Sequence, residues 1–182
     1  FIDSSPAHLF RRFVHRRGLL HPRGAPTRST TGVTDDAAAL LSARYLSPSV
    51  LAARGLTPHE IRRLVSCGAL IRLRNGRYVS DGCPPALAAA GRAGGRLDCV
   101  SLLAAIGVFV RERRGPLHVQ IDADASRLPA TGTSVRRHWR ATSCDRTRLA
   151  ADIIEALAQA CRCQTPRDAI ATLDSAWHLG FV

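Results

Sequence analysis

The chain has 182 residues, and 46% of them are hydrophobic, which is enough to bury the core of one domain or of two small ones. All 26 basic residues are arginines and only 14 residues are acidic, so the formal net charge is +12. This charge favours a polyanionic partner, because a guanidinium group donates two hydrogen bonds at once to a phosphate. No apolar run approaches the length of a membrane-spanning helix, so we expect a cytoplasmic protein that makes no membrane contact.

The first part of the chain predicts a basic arm followed by a helix. Residues 1–33 are rich in Arg, Pro, Ser, Thr and Gly, a composition typical of disorder. Thr34 is placed to cap a helix over residues 37–44, with two acidic residues in its first turn, where the helix dipole favours negative charge. We expect this helix to be the first of a three-helix domain, with Leu40 and Leu41 packed against the helices that follow.

Two short helices with strong start and stop signals come next. Ser47 can accept the free amides of the first helix, which begins with a proline, and Gly55 can end it in a left-handed conformation. Thr57 and Glu60 fit a capping box at the start of the second helix, and Gly68 would end that helix. These signals predict a helix, a turn and a second helix.

The second of these helices is amphipathic. Ile61, Leu64 and Val65 recur at helical spacing, so they form one apolar stripe that would face a core. The other face is polar and cationic. Its residues are candidate DNA contacts: Thr57, His59, Arg62, Arg63 and Ser66.

A β-hairpin is predicted after this helix. Ile71 and Leu73 alternate with arginines and would share the buried face, and Asn75-Gly76 predicts a type I′ turn. A two-residue loop would set Arg74 opposite Arg77, a like-charge pair that is unfavourable unless an anion such as phosphate lies beside it. The hairpin adds further candidate DNA contacts: Arg72, Arg74, Asn75 and Arg77.

Together these elements predict a winged helix-turn-helix over residues 34–82. In such a domain the second helix enters the major groove of DNA and the hairpin contacts the phosphate backbone. The alternative is that the arginines form only a solvated surface.

Residues 83–182 predict a second, mixed α/β domain. Pro84 and Pro85 mark the boundary, because paired prolines cannot continue a strand ladder. In chain order, we expect helices over residues 86–92 and 100–106, followed by strands over residues 117–122 and 134–139. The fold class expected for the chain is therefore α+β, with an N-terminal winged helix-turn-helix, a short sheet and C-terminal amphipathic helices.

Two C-terminal helices complete this expectation. Apolar residues recur every four positions in residues 147–162, which predicts a long amphipathic helix with the stripe Leu149, Ile153, Leu157 and Cys161. A last helix runs from a cap at Thr165 to Gly180. Its apolar side and one tryptophan of the sheet are expected in the core: Ile170, Leu173, Trp177 and Trp139.

The sequence contains no constellation that indicates catalysis. Phosphate-binding loops, nucleophile elbows and HExxH metal sites are absent. The six cysteines form no CxxC pair, and Cys161-x-Cys163 alone is a weak signal, so we interpret them as thiols in a reducing cytoplasm. His118, Asp122 and the nearby Asp124 are interpreted as polar residues of an edge strand rather than as a metal or acid-base site. We therefore expect no enzyme activity, cofactor or metal.

The segment Leu46 to Val79, which contains LAARGLTPHEIRRLVSCGALIRLRNGRYV, resembles the N-terminal winged helix of AbiEi-type antitoxins in their actinobacterial form. Similar pieces follow downstream, and they are the helix at Ser101-Leu102-Leu103, the strands at Leu117-His118-Val119 and residues 135–139, and Asp174-Ser175-Ala176. The resemblance covers about residues 37–182. It implies a cytoplasmic repressor of its own toxin-antitoxin operon that counters a nucleotidyltransferase toxin, with recognition by residues 57–66 and phosphate contacts by residues 72–77.

The resemblance leaves two other function classes open. In many relatives a nuclease domain of the very-short-patch-repair type follows a comparable N-terminal region, and this sequence contains no such domain. The chain would then be the DNA-binding part of an endonuclease. A third reading is a protein-interaction module in which the positive charge only maintains solubility.

Overall fold

The computed structural model describes residues 32–182 and is a mixed α+β structure of helices with two small sheets. The predicted basic arm, residues 1–33, lies outside the described residues except for its last two. The elements in chain order are α1 (Gly32–Ser42), α2 (Pro48–Ala53), α3 (Pro58–Ser66), β1 (Leu70–Arg74), β2 (Arg77–Ser80), α4 (Pro85–Arg92), β3 (Arg96–Leu97), α5 (Cys99–Ala105), β4 (Leu117–Asp122), a 3-10 turn (Gly132–Ser134), β5 (Val135–Arg140), α6 (Ile153–Cys163) and α7 (Pro166–His178). Within residues 32–182, no helix combines the length and the apolar character needed to cross a bilayer.

The described chain divides into two compact units. The first unit is residues 46–83, and the second combines residues 32–45 with residues 84–182. The division falls between Cys83 and Pro84, within the proline-rich segment where the sequence places a boundary. The second unit is discontinuous in sequence, because the first unit is inserted behind α1.

The helix signals of the first unit are confirmed. The Ser47 hydroxyl accepts from Val50 N at 3.2 Å, and Gly55 ends α2 with φ +83°. In the capping box of α3, the Thr57 amide donates to Glu60 Oε2 at 2.8 Å while Thr57 Oγ1 accepts from Glu60 N at 3.3 Å. These bonds satisfy amides that a helix start otherwise leaves without partners.

The apolar stripe of α3 is buried as predicted. Ile61 and Leu64 lie in one cluster with Leu51 and Leu56 of the α2 region and with Leu70 of β1. Partly buried side chains surround this cluster, and they are Leu46, Val65, Ala69 and Tyr78. The core of the first unit therefore lies on one side of α3 and leaves the opposite side to solvent.

The hairpin is present, but its turn differs from the predicted type I′. Only Gly76 has a positive φ at the tip, +70°, whereas a type I′ turn also needs a positive φ at Asn75. The register shifts by one residue between Arg72 and Arg74, as in a β-bulge. Because of this extra residue, Leu70 joins Leu73 on the buried side, and Ile71 is only half-buried.

The placement of α1 also differs from the expectation, because it belongs to the second unit. Leu149 N donates to Ala43 O at 2.9 Å, and the Arg148 guanidinium donates to Leu41 O at 2.9 Å. These bonds attach the end of α1 to the segment before α6 rather than to the apolar stripe of α3. The helix also begins at Gly32, so Thr34 lies inside it and not at its cap.

The sheet of the second unit has the order β3-β4-β5. The strands predicted over residues 117–122 and 134–139 correspond to β4 and β5, which pair in parallel, while β3 pairs with β4 in antiparallel. The interpretation of His118 and Asp122 as edge-strand residues is wrong, because β4 is the central strand. Gly95 permits the close approach of β3, since a Cβ there would lie 2.1 Å from the carbonyl oxygen of Gln120.

The helix predicted over residues 147–162 begins only at Ile153, where Asp152 caps it by accepting from Ile154 N at 2.9 Å. The preceding segment is extended and bonds to β3, because Leu97 N donates to Leu149 O at 2.7 Å. Leu149 is buried as expected. However, Leu149 lies in an extended segment, and its four-residue spacing from Ile153 is not that of a continuous helix.

The apolar side of α7 faces the opposite way from the prediction. The buried residues of this helix are Ala169, Thr172 and Ala176. The stripe that was expected in the core is exposed, with 67% exposure at Ile170, 40% at Leu173 and 69% at Trp177. Trp139 is also 53% exposed, so both tryptophans contradict the expectation of burial. A small-residue side of α7 packs inward because it allows a closer approach to its neighbours.

Candidate functional site

The first candidate site is the solvent side of α3 together with the hairpin. The nine predicted DNA contacts all lie in the first unit. Two of them, Arg74 and Arg77, are half-buried. The other seven are exposed, namely Thr57, His59, Arg62, Arg63, Ser66, Arg72 and Asn75. The exposure of the residues on α3 follows from the burial of Ile61 and Leu64, which fixes the rotation of this helix about its axis.

Several of these side chains also support the local backbone. The Thr57 hydroxyl belongs to the capping box, and the Ser66 hydroxyl donates to Arg63 O at 2.8 Å. Arg62 Nε donates to Pro58 O at 3.3 Å, and the side chain is exposed. Backbone hydrogen bonding at Thr57, followed by its side chain, lowers the pKa of Glu60 below its usual value, so this carboxylate stays ionised within the capping box.

The hairpin carries the other predicted contacts. The predicted opposition of Arg74 and Arg77 is confirmed, because these residues are register partners across the turn. The Arg72 guanidinium donates to the Asn75 side-chain oxygen, which holds this arginine beside the tip. Gly76 lies at the tip itself, and a Cβ built on it would be 3.7 Å from the Pro48 side chain. The hairpin tip therefore contacts the start of α2.

The charge of the first unit is strongly positive. Residues 46–83 contain six arginines and two acidic residues, which gives a net charge of +4. One of these acids is Glu60, whose carboxylate accepts the hydrogen bonds of the cap. The exposed side of the first unit is consequently a cationic surface.

A second cluster, which the sequence did not indicate, lies in the second unit. Cys99, His118, His138 and Cys163 each place one ligand atom within 4.8 Å of the other three. His118 Nδ1 is 3.1 Å from His138 Nε2, and Cys163 Sγ is 3.9 Å from the same nitrogen. We call these four residues the Cys/His cluster. Within residues 32–182, it is the one group of at least three potential metal ligands that lie this close together.

The Cys/His cluster was missed because its members share no local motif. His138 is 20 residues from His118 and 25 residues from Cys163. Each residue comes from a different element, namely the start of α5, β4, β5 and the end of α6. Cys161, two positions before Cys163 on the same helix, is exposed and does not belong to the cluster. The only sequence signal was the alternation that put His118 and His138 on strands.

The electrostatic surroundings keep the imidazoles neutral. Burial, followed by the charge of His138, lowers the pKa of His118 to about 4, and burial also lowers the pKa of His138. Beside the cluster, the buried Asp98 carboxylate receives two hydrogen bonds from Arg140, at 2.6 and 2.9 Å. Arg140 also contacts Glu155 at 3.3 Å. With two carboxylates and one guanidinium, this ion-pair network carries a formal charge of −1, and the Asp98 carboxylate opposes the lowering of both imidazole pKa values.

The other polar residues considered from the sequence lie elsewhere. Asp122 accepts from Arg96 at 2.6 Å and from Gln120 at 3.2 Å. Burial alone would raise the pKa of Asp122, but these hydrogen bonds outweigh burial and hold it below its usual value. Asp124 pairs with Arg146. His118 and Asp122 therefore belong to two different networks and do not form one acid-base site.

Comparison of the chain with models of known protein families finds no match, and comparison with curated proteins finds none either.

Proposed function

We propose that the first unit is a winged helix-turn-helix that binds double-stranded DNA, and that the protein is a cytoplasmic transcriptional repressor of the antitoxin type. In this proposal it represses its own operon and counters a nucleotidyltransferase toxin. The observation that carries the DNA-binding role is the two-sided character of α3, whose apolar stripe is buried while its arginines point to solvent beside an arginine-bearing hairpin.

The dimensions of α3 suit this role. A helix with its side chains is about 10–12 Å across, which matches the width of the DNA major groove at about 12 Å, and the nine residues of α3 extend about 13 Å along the helix axis. A four-residue turn, Arg54 to Thr57, separates it from α2, as in helix-turn-helix motifs. His59, Arg62 and Arg63 would face base edges, because the first turns of a recognition helix enter the groove.

The hairpin suits the phosphate backbone. Arg74 and Arg77 are register partners, and Arg72 is oriented by Asn75 at the tip. Guanidinium groups on this hairpin can donate hydrogen bonds to phosphates, and phosphate contacts position a protein on DNA without reading its sequence. The hairpin would therefore contribute affinity, while α3 would contribute sequence preference.

The test is fluorescence anisotropy with the full chain and two labelled duplexes of equal length. One duplex is the DNA upstream of the gene for this protein, and the other is a scrambled version. Preference for the upstream duplex that persists as the salt concentration rises is the expected result. Weak binding that is equal for both duplexes and is lost with salt would mean that the arginines supply only charge, and absence of binding at low salt would favour a protein-interaction module.

A further inference from the structure

We propose that Cys99, His118, His138 and Cys163 bind one divalent transition-metal ion, Zn²⁺ by preference, in a tetrahedral site that stabilises the second unit. This site is independent of the proposed DNA binding, because all four ligands belong to residues 84–182 and none lies in the first unit.

The geometry of the Cys/His cluster fits a tetrahedral ion. Typical Zn–N and Zn–S bond lengths imply separations of about 3.3 Å between two ligand nitrogens, about 3.6 Å between sulfur and nitrogen, and about 3.8 Å between two sulfurs. The observed distances are 3.1 Å from His118 Nδ1 to His138 Nε2 and 3.9 Å from Cys163 Sγ to His138 Nε2. Both distances are within a few tenths of an ångström of the tetrahedral values, and all four ligand atoms lie within 4.8 Å of one another, so binding would draw the outermost ligand atoms inward by up to about 1 Å.

The ligand set indicates the metal and its role. Two thiolates and two imidazoles suit Zn²⁺, whereas Ca²⁺ and Mg²⁺ require oxygen ligands. Four protein ligands leave no open position for water or substrate, which is the arrangement of structural rather than catalytic zinc. Binding would release one proton from each thiol, so that two thiolates and one dication form a neutral site. Such a site is compatible with the buried positions of Cys99 and His118.

The protonation preferences of the free ligands agree with this chemistry. Burial raises the pKa of the Cys99 thiol well above its ordinary value, and the nearby Cys163 contributes to the same effect. A bound metal ion offsets this effect, because it deprotonates a coordinating thiol outright. His118 and His138 are already held neutral by burial, which leaves each imidazole with a nitrogen lone pair for the metal.

The backbone at Cys99 provides an independent observation. Cys99 has φ +53° in the left-handed region, which among the described non-glycine residues is shared only by Arg127. Such a conformation is unfavourable for a residue with a side chain and persists where the surrounding structure requires it, often at functional sites. Here it occurs at the first residue of α5, immediately after the buried Asp98, at the one position of the cluster that lies in a turn between a strand and a helix.

A bound ion would connect four elements that are distant in sequence. Cys99 begins α5, His118 and His138 lie on the paired strands β4 and β5, and Cys163 ends α6. The ion would therefore fix the helices α5 and α6 against one face of the sheet. Metal-free protein would rely on hydrogen bonds between the imidazoles and thiols for the same contacts.

The first experiment measures the metal content of the full chain, purified under reducing conditions without chelators, by plasma mass spectrometry. We expect about one Zn²⁺ per chain in the wild type. Cys163→Ser should lose the metal, and His138→Gln should weaken its retention. The matched control is Cys161→Ser, which removes an exposed thiol two positions away on the same helix and should retain the full metal content.

The second experiment uses the wild type alone, so it does not depend on the folding of any variant. Metal-free protein titrated with Co²⁺ should develop the visible bands of a tetrahedral ion and thiolate charge-transfer absorption, both saturating at about one ion per chain. Zn²⁺ should displace Co²⁺ and remove both signals. Failure of the wild type to bind either ion at this stoichiometry would overturn the proposal, as would a Cys99–Cys163 disulfide in peptide mass spectra of the non-reduced protein.

Discussion

The DNA-binding proposal predicts that arginines of α3 and of the hairpin have different effects on salt dependence. Arg77→Ala should weaken binding to the upstream and scrambled duplexes alike, because a phosphate contact carries no sequence information. Each phosphate contact contributes a slope of about −0.9 to the dependence of log K on log salt concentration. If Arg77 makes one contact, the affinity ratio of wild type to variant should shrink about 3.5-fold between 50 and 200 mM salt, as estimated from this slope. The same result is expected for Arg74→Ala.

The α3 variants should behave differently. Arg63→Ala or Arg62→Ala should reduce binding to the upstream duplex more than to the scrambled duplex, by a factor of about 5–150 if the lost contact is a bidentate pair with guanine. Arg167→Ala is the control for charge alone, because it removes one exposed arginine from the second unit. All proteins would be compared by fluorescence anisotropy at four or more salt concentrations. If the α3 and hairpin variants weaken both duplexes to the same extent, α3 does not read bases.

Three further predictions concern stability. Asp98→Asn should destabilise the protein by about 3–5 kcal/mol in urea unfolding, because it leaves a largely buried arginine with an incomplete ion pair, whereas the exposed pair of Asp124 should contribute below about 1 kcal/mol. Similar losses for Asp98→Asn and Asp124→Asn would contradict this. Trp177→Ala should change the free energy of unfolding by no more than about 0.5 kcal/mol, while Leu102→Ala in the core should cost about 2–5 kcal/mol; a large loss for Trp177→Ala would show that its face is covered in solution. Hydrogen bonds from the Thr147 backbone and side chain, with the nearby Arg44, lower the pKa of Asp145 to about 2, so the unfolded chain takes up the proton first as pH falls below about 4. The stability from this group is therefore present above pH 4 and lost towards pH 2, and Asp145→Asn should lose less of its thermal stability over that interval than the wild type does.

Local signals predicted the first unit well because its information is local. The capping box at Thr57 and the stripe of Ile61 and Leu64 depend on residues three or four positions apart, and both are confirmed. The hairpin was also found, but its turn type was not. A bulge changes which side chains are buried without changing the local composition, so Leu70 replaced Ile71 on the inner side.

The errors in the second unit arise where tertiary contacts override a pattern. Ile170 and Trp177 are more hydrophobic than Ala169 and Ala176, yet α7 packs through its small residues. The prediction that Leu149 is buried is confirmed, but its four-residue spacing from Ile153 does not reflect a helix. Residues 149 and 151 instead hydrogen-bond to the backbone of Leu97 in β3, and the helix begins only afterwards.

The Cys/His cluster could not be predicted from spacing at all. Its residues are brought together by the parallel pairing of β4 with β5 and by the packing of α5 and α6 on the sheet. Pairing in parallel aligns Gln120 with His138, so the two histidines are two register positions apart on the same face. That register is a property of the folded sheet, and the alternation within each strand does not specify it.

The insertion of the first unit behind α1 sets an order of assembly during translation. Arg44 pairs with Asp145, which is 101 positions further along the chain. At a synthesis rate of about 5–20 residues per second, Asp145 is synthesised roughly 5–20 seconds after Arg44. Residues 46–83 carry their own core and can fold during that interval. A gene fragment that starts at Pro84 would encode the second unit without α1, and therefore without the pair of Arg44 with Asp145.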